Sequence, residues 1–367
     1  MLVQDKIKLT ESQDYAIELI LNWLDSDEDE FVLSGFAGTG KTTIIKYLME
    51  SHRSRLTKGN SLVKIVTYTG KATQVLKRKG VKAATIHSTI YTPHKNENNK
   101  ITFILNRFLE VGLFIVDEAS MINQQLYDDL KSFKAKILFV GDSGQLEPIE
   151  GNFNIMKSPD YMLSEIHRQA LQSDIIRFSM HVREGGKPRT FKPTPGKKEL
   201  FIGPREVVRN SATVADQVLC GFNKTRVAGN QYMREQLGYT EDLVVGDRLI
   251  CLRNNKNYGI YNGTSAIVKQ IHTDVDDIYI VDLMLDCGFE LKEVFFEKET
   301  LLSGKVGSSY DKDLTHWTYG YFMTTHKAQG SEYPKVLVLE ELHPDWDEKR
   351  WRYTAITRAS EKLIYAV

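Results

Sequence analysis

Between Gly35 and Thr42 the chain reads Gly-Phe-Ala-Gly-Thr-Gly-Lys-Thr. An apolar run, Phe31-Val-Leu33, precedes it and suits a strand. A second apolar set, Ile44, Ile45, Tyr47 and Leu48, follows and suits the core face of a helix. In that setting the backbone N–H groups of Gly35, Gly38, Thr39, Gly40 and Thr43, with the helix N-terminus, form a cradle for phosphates. Lys41 reaches the β- and γ-phosphates, and the Thr42 hydroxyl is placed to ligate Mg²⁺. A glycine turn with no ligand is the bland alternative, and the flanking strand and helix argue against it. The expected ligand is a nucleoside triphosphate with Mg²⁺.

Two further groups fit this chemistry. Asp117-Glu118-Ala-Ser120 follows the apolar run 111–116. Asp117 there holds Mg²⁺ opposite Thr42, and Glu118 orients and deprotonates the attacking water. By itself such an acidic pair is a solvated loop; the phosphate loop reverses that reading. Gly141-Asp-Ser-Gly-Gln145-Leu-Glu-Pro-Ile149 follows the run 137–140. Gln145 is placed to sense the γ-phosphate, although in isolation the segment reads as a turn.

The elements that must position these residues alternate. Residues 11–24 pattern as an amphipathic helix capped by Thr10 or Ser12. Short apolar runs at 62–66, 111–116, 137–140 and 217–222 are separated by helical patterns, which implies a mostly parallel sheet covered on both faces. Ligands bind such sheets at the carboxyl ends of the strands, where these motifs fall. Residues 88–108 read as an inserted hairpin with a polar tip. Residues 244–303 read as short strands with turns at Asn254-Asn255, Asn262-Gly263 and Asp276-Asp277, and 184–198 as a linker or surface loop.

Composition excludes several classes. The chain has 367 residues, enough for two or three domains, and ordinary hydrophobic and charged contents of 41% and 26%. No apolar stretch approaches the ~20 residues of a membrane span, and the polar start is unlike a signal peptide. The three cysteines, Cys220, Cys251 and Cys287, are far apart, which suits a reducing cytoplasm and excludes a disulfide framework. Forty-eight basic residues balance 48 acidic ones, so any nucleic-acid path must be locally basic.

Together these blocks resemble a superfamily-1 helicase. Leu9-Thr-Glu-Ser-Gln13 resembles the adenine-reading segment, with Gln13 on the base. Thr67-Tyr-Thr69-Gly-Lys71-Ala-Thr73 and Ala84-Thr85-Ile-His87-Ser88 resemble strand-binding motifs. Glu165-Ile-His-Arg168-Gln resembles the motif whose arginine reaches the γ-phosphate from the second RecA-like domain. Asn223-Lys-Thr-Arg226 with Asn230 matches another segment of that domain. Met323-Thr-Thr325-His326-Lys327-Ala-Gln-Gly330-Ser-Glu332 resembles the motif coupling nucleotide to strand, with Glu332 at the ribose. Tyr353-Thr-Ala-Ile-Thr-Arg358 resembles the last motif, in which Arg358 is the arginine finger.

The hairpin-sized and β-rich insertions and the His-Lys-Ala-Gln-Gly-Ser wording resemble the Dda-like and RecD-like B-type branch. That resemblance implies an α/β fold of two RecA-like parallel-sheet domains. The first spans 1–87 and 109–160, with a pin hairpin at 88–108. The second spans 161–243 and 321–367, with a small β-barrel at 244–320. It also implies an ATP-driven, 5′-to-3′ DNA helicase that acts as a monomer on single strands and junctions. The strand would touch Thr69, Lys71, Thr85, His87, Thr325, His326 and Lys327. The pin tip carries no aromatic wedge; Tyr91 and Phe103 lie at its base, where core packing is the simpler role. A translocase with weak unwinding and a nucleotide-dependent binding switch are the alternatives.

Overall fold

The computed structural model describes residues 9–57, 62–95, 101–147, 153–166, 168–207, 211–253, 255, 258, 260, 262–275, 277–285, 288–306 and 314–367. The chain divides into two compact units, one formed mainly by residues up to Ile176 and one mainly by Arg177–Val367. Among the described residues no helix is long and apolar enough to cross a membrane.

The first unit contains β1 (Glu30–Gly35), β2 (Val63–Thr67), β3 (Ala84–Thr85), β4 (Tyr91–Lys95), β5 (Ile101–Leu105), β6 (Leu113–Asp117), β7 (Lys136–Gly141) and β8 (Tyr161–Leu163). Six of them form a parallel sheet in the order β3-β2-β6-β7-β1-β8. Side chains alternate between its faces, as strand geometry requires. Phe31, Leu33, Ile65, Ile115 and Leu138 pack with the helices Glu11–Leu24 and Lys41–Ser51. Val32, Val66, Phe114, Val116 and Phe139 pack on the other face with Ile86, Leu126 and Leu130. Thr10, not Ser12, caps the helix Glu11–Leu24, in a reciprocal capping box with Gln13. β4 and β5 form a separate two-stranded sheet; of the expected polar tip, His94 to Lys100, residues 96–100 lie outside the described residues.

β8 corrects the expected boundary at 160/161. It pairs in parallel with β1, and Leu163 lies in the core of the first sheet. Asp160 continues the ladder: its carboxylate accepts the Val32 N–H at 2.7 Å, and its own N–H donates to the Val32 carbonyl at 2.9 Å. The first unit therefore runs on to Ile176.

In the second unit β9 (Leu200–Gly203) and β10 (Gln217–Cys220) precede an insertion. It comprises β11 (Arg248–Cys251), β12 (Ser265–Val275), β13 (Ile278–Leu285), β14 (Glu290–Glu297), β15 (Leu314–Thr315) and β16 (Trp317–Tyr319). Then come β17 (Phe322–Thr324), β18 (Tyr333–Leu339) and β19 (Ala359–Ala366). A five-stranded parallel sheet has the order β17-β10-β18-β19-β9. The insertion forms a sheet in the order β15-β14-β13-β12-β11-β16. Its two end strands are separated in sequence by His316 alone. One apolar core joins the inserted sheet and the parallel sheet, with Leu249, Val281 and Trp317 beside Val218 and Leu337.

Candidate nucleotide and strand-binding site

Gly35 ends β1, and the loop that follows delivers the helix Lys41–Ser51. Gly38 and Gly40 have φ of 82° and 81°, a backbone region that favours glycine. A side chain at Gly38 would also come within 3.1 Å of Ala170 and 3.3 Å of Ile166. The Thr39 hydroxyl donates to the Phe36 carbonyl at 2.8 Å. Lys41 Nζ folds back over the loop, donating to the carbonyls of Gly35 at 2.6 Å and Phe36 at 3.1 Å, 3.9 Å from Asp142 Oδ2. Thr42 and Thr43 are half-buried in the first helical turn. Gln13 is 1% exposed; its amide donates to the Thr39 carbonyl and accepts from Thr10 N–H, both at 3.0 Å. It thus ties the helix Glu11–Leu24 to the loop.

β6, β7 and β1 are neighbours, so their carboxyl ends bring Asp117, Glu118, Asp142 and Gln145 to this loop. Glu118 is a non-glycine residue with φ of 57°, the kind of outlier held where its side chain must be aimed. Burial, then the neighbouring Glu118 charge, pushes the Asp117 carboxyl up to about 7, against the Glu118 N–H and the Lys41 and Lys79 charges. Asp142 is buried and accepts the Gly144 N–H at 2.9 Å, and the buried Gln145 donates its N–H to the Asp142 carbonyl. Ser34 and Ser143 are linked at 3.0 Å, a contact the sequence reading missed. A hydroxyl (Thr42) and a single carboxylate (Asp117) are hard oxygen donors suited to Mg²⁺ shared with phosphate oxygens. Pro148 and Ile149 lie outside the described residues.

Arg168 opens the short helix Arg168–Leu171, which belongs to the first unit, not the second as the resemblance implied. The cause is β8, too short to show periodicity. The Arg168 side chain lies outside what is described. Arg358 is in the second unit and is 5% exposed. Its guanidinium donates to the carbonyls of Thr354 at 3.1 Å and Ser331 at 3.0 Å and to the Thr357 hydroxyl at 3.1 Å. It thereby holds the loop that bears the buried Gly330 and the exposed Glu332.

The expected strand contacts divide. Thr69, which groups with the second unit, is half-buried, and the Lys71 side chain, like that of Phe103, is outside the described set. The buried Thr85 instead caps a helical turn through Ser88 N–H at 3.2 Å. His87 stands between two tyrosines that the sequence reading did not place at the strand, with ring centroids 6.0 Å from Tyr68 and 5.6 Å from Tyr91. Tyr91 also donates its hydroxyl to Asp129. In the second unit Thr325 is fully buried against the Cys220 carbonyl. His326 packs edge-on to Trp346 at 4.9 Å, and burial lowers its pKa. Burial, with the Arg226 charge, pushes the Lys327 ammonium down to about 8. Thr85 and Thr325 thus serve their own units' interiors, and Lys327 is half-buried.

Residues 8–197, just over half the chain, match the family described as AAA domain, and 319–365 match a UvrD-like helicase C-terminal domain. The chain is 27% identical to the ATP-dependent RecD2 DNA helicase of Deinococcus radiodurans, over 91% of this chain and 46% of that protein. It is 24% identical to the DNA helicase dda of Enterobacteria phage T4, over 66% and 60%. To Campylobacter jejuni Pif1 it is 22% identical, over 90% and 87%. It therefore spans about half the length of the RecD2 relative. In fold it is similar to the Bacteroides Pif1 helicase solved with ADP-AlF3 and ssDNA, with a TM-score of 0.61, 17% identity, and coverage of 99% of this chain and 93% of that one. On the match of motifs, domains and fold, the chain belongs to the AAA domain family and, within it, to the superfamily 1B helicases of the Pif1, RecD and Dda type.

Proposed function

We propose that this chain is an ATP-dependent DNA helicase that moves 5′ to 3′ on single-stranded DNA and separates duplex strands. The observation that carries the reading is the convergence of Lys41, Asp117, Glu118, Asp142 and Gln145 on one phosphate loop. With ATP bound, Lys41 exchanges its loop carbonyls for the β- and γ-phosphate oxygens. Thr42 and Asp117 hold Mg²⁺, which when bound screens the phosphate charge. Glu118, set by its backbone, takes a proton from the attacking water, and Gln145 reads the γ-phosphate. Gln13 contacts the adenine and Glu332 the ribose. Arg168 and Arg358 neutralise the charge on the transferring phosphoryl group, and Arg358 must release Ser331 to do so.

The strand is gripped through Thr69, Lys71, His87 and His326 without sequence reading, with Tyr68 and Tyr91 beside His87. The barrel and the β4–β5 hairpin are assigned the roles of strand guide and pin. ATPase measured with and without single-stranded DNA, then unwinding of duplexes with 5′ or 3′ tails, tests the reading. Strong stimulation and unwinding from 5′ tails alone are expected; unwinding only from 3′ tails overturns the polarity. An ATPase indifferent to single strands points instead to a binding switch. Lys41→Ala should abolish hydrolysis with an unchanged circular-dichroism spectrum; retained hydrolysis removes the phosphate-loop assignment.

A further inference from the structure

Arg226 is 9% exposed, in the first turns of the helix Asn223–Gln236 in the second unit. Among the described residues its one hydrogen bond runs from Nε to Asn223 Oδ1 at 3.2 Å, and no carboxylate pairs with it. Two turns on, Arg234 shows how this fold pairs a buried arginine. It makes two bonds to Asp247, at 3.0 and 3.1 Å, and lies over the Tyr319 ring. Among the described residues Arg226 has no such partner. Its position near a helix N-terminus is also unfavourable for a cation, and Lys327 adds a like charge. A buried guanidinium without a counter-charge is costly, and bound anions commonly supply the missing charge.

Arg226 lines a pocket of about 530 Å³ between its helix, the short helix Lys298–Ser303 and β16, a volume that suits a small ligand. Gly304 makes room for the guanidinium: a Cβ there would stand 2.7 Å from Nη2. Tyr239 and Tyr319 line the same pocket, as do Glu235 and Asp242, whose carboxylates do not reach Arg226 and would repel a polyanion. We propose that Arg226 is the receptor of an anion site in the second unit that takes a single phosphate group carried by a nucleotide, free or within a strand. A planar fork of N–H donors matches phosphate oxygens two at a time. The choice of a nucleotide as carrier rests on the proposed function; the anion site does not.

The test titrates inorganic phosphate, dTMP and an oligo-dT separately into the Lys41→Ala chain, whose phosphate loop is disabled, and into the same chain carrying Arg226→Gln, by calorimetry and thermal melting. At least tenfold weaker binding of phosphate and dTMP is expected on Arg226→Gln. Without ligand, that variant should melt no lower than its parent, because an uncompensated charge has been removed. If only oligo-dT responds to Arg226→Gln, the phosphate comes from the strand, as the proposal allows. Undiminished binding on Arg226→Gln, or no binding of any of the three to the parent, overturns it. A variant that melts lower with unchanged binding overturns it too, since that is the signature of a plain helix contact. Loss of strand-stimulated ATPase alone would count against the proposed function and leave this site standing.

Discussion

On the proposed function, Asp117 couples metal binding to protons. Its carboxyl is pushed up to about 7 by burial and then by Glu118, so the folded chain holds a proton there that the unfolded chain releases near 3.8. The sign follows: between those values rising pH removes stability, and the metal competes with the proton. Mg·ADP should therefore bind about tenfold more weakly at pH 6 than at pH 8, because only about a tenth of the carboxyl is ionised a unit below its pKa. Calorimetry at the two pH values checks this, and Asp117→Asn should flatten the dependence. A wild-type affinity that is equal at both values would refute it. Arg358 offers a second case. Its three bonds to one loop and one helix end need a planar fork, which lysine lacks. Arg358→Lys should lower both the melting temperature and the ATPase rate, the latter by on the order of 10³ if the residue also meets the phosphoryl group. A melting loss with full ATPase would leave it a structural clasp.

The element that holds the phosphate loop in place is β1, and β8 with Asp160 covers its edge. Asp160→Ala would leave the buried Val32 N–H without its acceptor, at a cost of about 1–3 kcal/mol. Denaturant unfolding should show that loss together with weaker nucleotide binding, and unchanged stability would mean that water or a neighbour replaces the carboxylate. This strand also marks the limit of what the sequence made legible. The loop, the acidic strand end and a cap at Thr10 or Ser12 were readable because their information is local: residue spacing, a hydroxyl before a helical pattern, an apolar run before a glycine. β2, β6, β7 and β10 were found within a residue or two for the same reason. β8 has three residues and meets a partner some 128 positions away, so no periodicity announces it. Arg168 was accordingly assigned to the wrong unit. Thr85 and Thr325 read as strand contacts by motif, but motif position does not reveal whether a hydroxyl already serves a helix cap or a neighbouring carbonyl.

At the scale of the whole molecule, two compact units with separate apolar cores imply unfolding in more than one step. The phosphate loop lies in the first. The second depends on its inserted sheet, where β13 and β14 slip register around Asp282. Asp282 is buried and receives the Glu293 N–H at 2.9 Å, with His272 at 2.8 Å and Lys292 at 2.9 Å. These bonds, the Glu293 N–H foremost, hold its carboxyl below the usual range. That contribution is present above the unfolded value of 3.8 and is lost as pH falls through the folded one. Scanning calorimetry near neutral pH should resolve two transitions. Mg·ADP should raise one of them, whereas Asp282→Asn should lower the other by a few degrees. As pH falls from 3.8 toward the lower folded value, the difference between wild type and Asp282→Asn should shrink, because the unfolded chain takes up a proton that the folded carboxylate still refuses. A single transition that moves with both the nucleotide and the substitution would show that the two cores melt as one.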